Sequence, residues 1–182
     1  MNNTRLLVGL VIATVLIGLG VLGFGIKPAD QEARLPAPDV ADYGGQATSS
    51  GILVTEVVDG DTIIVEGGIT VRFLGIDTPE TKDPRRPVGC FGKEASSETK
   101  RLLEGQMVIL EKDISETDKY GRLLRYVYLP MDGDKRLFVQ DYLVRTGFAT
   151  VLTYPPDVKY NEVLREAETV ARESKKGLWG RC

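Results

Sequence analysis

The sequence contains no histidine among its 182 residues. This absence excludes Ser-His-Asp triads, histidine general bases and histidine-ligated zinc sites. The formal net charge is −3, so the chain also lacks the overall basic charge of many nucleic-acid-binding proteins, which argues mildly against such a substrate. Any catalysis must therefore use carboxylates, arginine, lysine, tyrosine or a metal ion held by oxygen ligands.

The N-terminal segment has no charge between Leu6 and Ile26, and this run is long enough to cross a bilayer, which takes about 20 apolar residues. No clear small-residue cleavage site follows, so we predict an uncleaved transmembrane anchor over residues 1–27, with a cleaved signal peptide as the alternative. Arg5 precedes the run and only Lys27 follows it directly, so the positive-inside rule places the remaining chain outside the cytoplasm. We expect a protein of the cell membrane with one span, or a secreted protein if the segment is cleaved.

Residues 28–50 are rich in proline, alanine, aspartate, glycine and serine, which is typical of a flexible linker. The folded domain is expected over residues 51–182, with no internal repeats. Strand patterns cover residues 52–58, 62–65, 69–76, 107–111 and 123–129, and helix patterns cover 93–104, 137–145 and 160–176. Early hairpins with later helices predict an α+β fold in which helices pack on a small barrel.

The stretch VRFLGIDTPE, residues 71–80, places three charged side chains at one strand end. Arg72 and Asp77 are five positions apart and would point to opposite faces of a flat strand. They share a site only if the sheet curls or the strand end turns, as at the mouth of a small barrel. With Glu80 directly after the corner made by Pro79, the pattern predicts a site for anion binding, metal binding and acid–base chemistry.

Two aspartates, Asp61 and Asp77, lie at predicted strand ends and offer hard oxygen ligands that suit Ca²⁺ or Mg²⁺. The alternative is structural: Asp59-Gly60-Asp61 is also a common turn sequence. Likewise, Arg72 and Arg122 are either phosphate ligands or members of surface ion pairs. These residues alone leave the choice open.

Four motifs occur in order: VVDGDT at 57–62, VRFLGIDTPET at 71–81, FGKEAS at 91–96 and TDKYGR at 117–122. Together they closely resemble the thermonuclease family, and the resemblance runs from about residue 51 to Trp179. It implies a five-stranded OB-fold β-barrel with three packed helices. It also implies Ca²⁺-dependent hydrolysis of DNA and RNA that leaves 3′-phosphates, by a monomeric soluble domain.

The resemblance also assigns roles to individual residues. The family's aromatic residues that flank the substrate base have poor matches in this sequence. Tyr154 is the candidate for that position. The implied roles are calcium ligands Asp61, Asp77 and Thr78 (through its carbonyl), phosphate-binding Arg72 and Arg122, general base Glu80, and substrate contacts Lys119, Tyr120 and Tyr154.

Two other hypotheses are alternatives to the interpretation as a calcium-dependent nuclease. The first is an OB-fold module that binds nucleic acid or a partner protein without catalysis. Such a module should lack the arginine pair or the glutamate, whereas Arg72, Arg122 and Glu80 are all present. The second is an envelope interaction protein in which the Asp-Gly-Asp turn is only structural.

The two cysteines, Cys90 and Cys182, are far apart in the sequence. Outside the cytoplasm they are expected to form a disulfide, and closing so long a loop stabilises a fold by about 4–5 kcal/mol in the chain-entropy model. Two unpaired thiols are the alternative.

Overall fold

A computed structural model describes residues 51–81 and 87–182. The predicted anchor (1–27) and linker (28–50) lie outside the described residues. In the part that is described, no helix is long and apolar enough to cross a membrane.

The described residues form eight strands and four helices, with four strands before the first helix. The strands are β1 (Ile52–Asp59), β2 (Thr62–Val65), β3 (Ile69–Phe73), β4 (Ile76–Asp77), β5 (Met107–Glu111), β6 (Leu123–Pro130), β7 (Arg136–Phe138) and β8 (Thr150–Val151). The helices are α1 (Gly92–Leu103), α2 (Val139–Arg145), α3 (Asn161–Glu173) and the short α4 (Leu178–Arg181).

Within these ranges, five strands close into a barrel in the order β3-β2-β1-β5-β6, and a parallel pairing of β3 with β6 completes the ring. Strand β1 changes register twice along β2, which bends it enough to pair with β5 at its start. The β2–β3 hairpin turns at Gly67 and Gly68, whose positive φ angles of 84° and 75° favour glycine. The predicted α+β barrel with three packed helices is confirmed.

The barrel interior is filled by side chains that alternate along its strands, and the helices cover it from outside. Helix α1 packs on β1 through its buried face, and α2 packs on α3. The fully buried core includes Val54, Ile63, Val65, Val71, Phe73, Leu103, Tyr126, Tyr128, Leu143 and Leu164.

The predicted strand over residues 69–76 is wrong in one respect, because the structure divides it into β3 and β4. Gly75 lies at the break with φ +79°, and a Cβ atom there would come within 2.5 Å of Leu164 Cδ1. The chain turns at this point, and β4 then pairs with β8 rather than continuing along the barrel.

The predicted helix over residues 137–145 begins later than expected. Leu137 and Phe138 belong to β7, which pairs with β6, and α2 starts at Val139. All three residues are buried, so the local sequence lacks the polar face that distinguishes a surface helix from a strand.

The C-terminus is tied to the loop before α1 by a disulfide between Cys90 and Cys182, whose Cα atoms lie 6.0 Å apart. The bridge spans 92 positions of sequence.

Candidate active site

The turn between β1 and β2 directs Asp61 inward, where it is 6% exposed. Its Oδ2 accepts hydrogen bonds from both the main-chain N–H and the hydroxyl of Thr78, each at 2.9 Å. Its Oδ1 accepts a third from the Thr62 hydroxyl at 3.0 Å. The carboxylate therefore ties the β1–β2 turn to the chain that follows β4.

Gly60 lets this turn approach the rest of the site closely. A Cβ atom at Gly60 would lie 2.8 Å from the Thr78 side chain, so a larger residue would force the two segments apart. Thr99 of α1, fully buried, donates from its hydroxyl to the Gly60 carbonyl at 2.7 Å. Sequence reasoning missed Thr99, because a threonine on a helix face carries no signal of this long-range contact.

Arg72 joins the two predicted calcium carboxylates. Its NH1 lies 2.8 Å from Asp61 Oδ2 and its NH2 lies 2.8 Å from Asp77 Oδ1. The side chain of Arg72 is 14% exposed, whereas that of Asp77 is 53% exposed. The break at Gly75 brings Arg72 and Asp77 to the same side, as the sequence required for a shared site.

Negative charge accumulates around this arginine. Partial burial raises the pKa of Asp77, and repulsion by Asp61 and Glu80 adds to the rise against the opposing effect of Arg72. Burial likewise raises the pKa of Asp59, with smaller contributions from Asp61 and Glu80. The raised pKa values mean that burial and nearby negative charge disfavour the ionised forms of Asp59 and Asp77.

Glu80 sits on a segment that is fastened to the β1–β2 turn. The Thr81 hydroxyl donates to Asp59 Oδ1 at 2.8 Å, and the Thr81 N–H donates to Glu80 Oε1 at 3.0 Å. From the other side, the Gly89 N–H donates to the Glu80 carbonyl at 2.8 Å. These contacts place Glu80 within electrostatic reach of both Asp59 and Asp77.

Arg122 lies directly before β6, in a loop organised by Asp118. Asp118 Oδ2 accepts from the Nε and NH2 groups of Arg122, both at 2.7 Å. Its Oδ1 accepts from the main-chain N–H groups of Tyr120 and Arg122 at 2.9 and 3.0 Å. Sequence reasoning did not single out Asp118, although an aspartate four residues before an arginine, with Gly121 between them, is the pattern of a turn closed by a carboxylate.

The β3–β6 register relates the two arginines. Leu123 pairs with Val71 and Leu124 pairs with Arg72, so Arg122 directly precedes the strand next to that of Arg72. Arg122 therefore lies next to the first residue of β6 that pairs with β3, two positions before the partner of Arg72.

The predicted substrate contacts lie on exposed loops. Lys119 Nζ is 5.0 Å from the centre of the Tyr120 ring, and Arg122 Cζ is 5.5 Å from it. Tyr154 is 69% exposed, and its main chain forms an isolated β-bridge with that of Asp157. Asp157 Oδ1 accepts hydrogen bonds from the main-chain N–H groups of Ile114 and Ser115. The structure thus joins Asp61, Arg72, Asp77 and Thr78 directly, whereas the described contacts of Tyr154 are with its own loop.

The donor set around Arg72 suits a hard divalent cation. Among residues 51–81 and 87–182, no three acidic or cysteine side chains form a ready metal cage. Asp61 and Asp77 nevertheless both contact the guanidinium of Arg72, so the two carboxylates lie close to each other. A cation would offset the effects of burial and of nearby negative charge that raise the pKa of Asp77. The residues therefore fit Ca²⁺ that completes its shell with water and main-chain oxygens.

Known proteins resemble most of the chain. A family described as "Staphylococcal nuclease homologue" matches residues 70–181. The thermonuclease of Staphylococcus hyicus is 44% identical over 129 residues, covering 69% of this chain and 73% of the relative. The thermonuclease of Staphylococcus intermedius is 42% identical over 132 residues, covering 71% and 76%.

A relative from another genus extends the comparison. Endonuclease YncB of Bacillus subtilis (strain 168) is 39% identical over 135 residues, covering 71% of this chain and 62% of the relative. Taken with the barrel and with the arginine and carboxylates at its strand ends, these matches show that the chain belongs to the staphylococcal nuclease family of phosphodiester-hydrolysing enzymes.

Proposed function

We propose that this nuclease depends on Ca²⁺, acts on both DNA and RNA, and leaves 3′-phosphate ends. The observation that supports this most strongly is the position of Arg72 between Asp61 and Asp77. One strand end thereby combines oxygen ligands for a hard cation with a guanidinium group suited to phosphate. Glu80 lies close enough to Asp77 to interact with it electrostatically.

Each arginine has a defined task in this proposal. Arg72 and Arg122 bind phosphate oxygens and stabilise the charge that develops on phosphorus during hydrolysis. Asp118 engages the Nε and NH2 groups of Arg122, which fixes the orientation of its guanidinium plane. Glu80 accepts the proton of the attacking water, the task that a histidine performs in many hydrolases.

The cation has a separate task. Asp61 and Asp77 would hold it with their carboxylates, and Thr78 with its main-chain carbonyl. Bound there, Ca²⁺ would supply Lewis-acid polarisation of the phosphate. In the structure, the N–H and hydroxyl of Thr78 are both engaged by Asp61, which fixes this part of the main chain beside the carboxylates.

Three exposed side chains are proposed to contact the rest of the substrate. Lys119 and Tyr120 lie on the loop that also carries Arg122, so they are placed to meet the nucleotide that Arg122 binds. Tyr154 offers an exposed ring for stacking on a base.

We also propose that the enzyme works outside the cytoplasm as a monomeric domain held at the cell membrane by residues 1–27. The uncharged run from Leu6 to Ile26 supports an anchor. The disulfide between Cys90 and Cys182 supports an oxidising compartment, where such bridges persist.

A cleavage assay tests the proposal. The purified full-length chain is mixed with single-stranded DNA, duplex DNA and RNA, first with Ca²⁺ and then with a chelator. We expect cleavage of all three with Ca²⁺, none with chelator, and product ends that a polymerase extends only after phosphatase treatment. Binding without cleavage would instead identify an inactive OB-fold module.

A further inference from the structure

The Cys90–Cys182 disulfide lies next to the segment that carries Glu80. Cys90 is flanked by Gly89 and Phe91, and Gly89 donates its N–H to the Glu80 carbonyl at 2.8 Å. The bridge therefore acts one residue away from a main-chain hydrogen bond to the proposed general base.

The contact between residues 89–92 and 79–81 is made by backbone packed against backbone. A Cβ atom at Gly89 would lie 2.8 Å from Pro79 Cβ and 3.2 Å from the Glu80 nitrogen. A Cβ atom at Gly92 would lie 2.8 Å from the Pro79 carbonyl oxygen. Neither position has room for a side chain. A shift of residues 89–92 must therefore change their contacts with the main chain of Pro79 and Glu80.

The other half of the bridge is fixed to the body of the fold. Leu178 at the start of α4 donates its N–H to the Gly147 carbonyl at 2.9 Å. The guanidinium carbon of Arg172, on α3, lies 4.0 Å from the centre of the Trp179 ring. Helix α4 is thereby fixed to Gly147 and to α3, and Cys182, which directly follows α4, is held in place with it.

We propose that the Cys90–Cys182 disulfide positions Glu80, so that breaking it lowers turnover and does not merely lower the unfolding temperature. The bridge transmits the fixed position of α4 to residues 89–92, and these hold the Glu80 main chain through Gly89. Reduction by a dithiol breaks the S–S bond, gives two thiols and converts the dithiol to its own disulfide. This inference rests on the proposed role of Glu80 as general base.

The test compares wild type with the double variant Cys90→Ser/Cys182→Ser, which has no thiols. A loop of this length predicts an unfolding temperature lower by about 10–15 °C, so a matched control is needed. Leu137→Ala removes a buried side chain from β7 and destabilises the fold away from Glu80. All three proteins are measured at a temperature where each is folded.

The first readout is amide hydrogen exchange at Gly89, which requires no activity. We expect exchange in the double variant to be faster by about tenfold or more than in wild type. The Val127 amide, bonded to Gln140 in the core, reports global opening in the same sample. In Leu137→Ala, exchange at Gly89 should stay near the wild-type rate. Unchanged Gly89 exchange in the double variant would overturn the inference.

The second readout is turnover. We expect kcat to fall about tenfold in the double variant, with KM within twofold of wild type, while Leu137→Ala keeps the wild-type kcat. Faster Gly89 exchange with an unchanged kcat would overturn the positioning role. A wild-type protein that cleaves nothing would refute the proposed function, and the exchange readout would still decide whether the bridge holds the Glu80 segment.

Discussion

Replacing Arg122 with alanine is expected to lower kcat by about 10²–10³-fold while leaving the fold intact. The loss corresponds to roughly 3–4 kcal/mol of transition-state stabilisation, the usual effect of removing one preorganised donor from a developing anion. Arg122 is about one-third exposed, and its pair with Asp118 is a surface contact that contributes little to stability. Circular dichroism and the unfolding temperature should therefore match wild type.

Arg145→Ala is the matched control for this variant. Arg145 pairs with Asp141 four positions earlier, through Nε and NH2, in the same way that Arg122 pairs with Asp118. Its loss removes an equivalent ion pair from α2 and should leave kcat unchanged. Arg122→Lys, which keeps the charge but loses the planar fork, should fall between wild type and alanine. Wild-type rates in Arg122→Ala would remove Arg122 from the site.

Replacing Glu80 with glutamine is expected to lower kcat by about 10²–10⁴-fold, the range for losing a general base. Glutamine has nearly the same shape and still offers an oxygen to the Thr81 N–H, which now donates to Glu80 Oε1. The segment should therefore keep its position while losing the group that accepts a proton. A pH–rate profile of wild type should show a rising limb from a carboxylate that is missing in the variant.

Glu66→Gln, on the exposed β2–β3 turn, controls for the loss of one negative charge. It should keep the wild-type kcat and the same pH–rate profile. If Glu80→Gln retains most of the wild-type kcat, the carboxylate orients water or substrate and another group accepts the proton.

The barrel was predictable because each of its strands combines an alternating pattern with a glycine-rich or polar turn. Strands β4 and β8 were not predictable, because two residues are too few to show any period. They form only because the turn at Gly75 brings Ile76 opposite Val151. The start of α2 was missed for a related reason, since Leu137, Phe138 and Val139 are buried on every side.

The site was predictable to the extent that its residue types are unusual at strand ends. Arg72 and Asp77 could share a site only if the sheet curled or the strand end turned, and the break at Gly75 provides the turn. The contact from Thr99 was not predictable, because it joins α1 to a turn 39 positions earlier in the sequence. Asp118 was missed although its contacts are local, because the turn pattern before Arg122 was not used. The family motifs identify the proposed catalytic residues more readily than the residues that position them, such as Thr99 and Asp118.

The most direct measurement is the rate of DNA cleavage as Ca²⁺ is titrated into the wild-type chain and into Asp77→Asn. Asp77 is half exposed, so the substitution should spare the fold while removing one charged ligand. We expect the wild-type rate to saturate with Ca²⁺ and to vanish with chelator. In Asp77→Asn, half-saturation should require at least about tenfold more Ca²⁺, or roughly 1.4 kcal/mol of binding free energy. Cleavage that persists in chelator, or equal half-saturation in both proteins, would contradict a calcium site at these carboxylates.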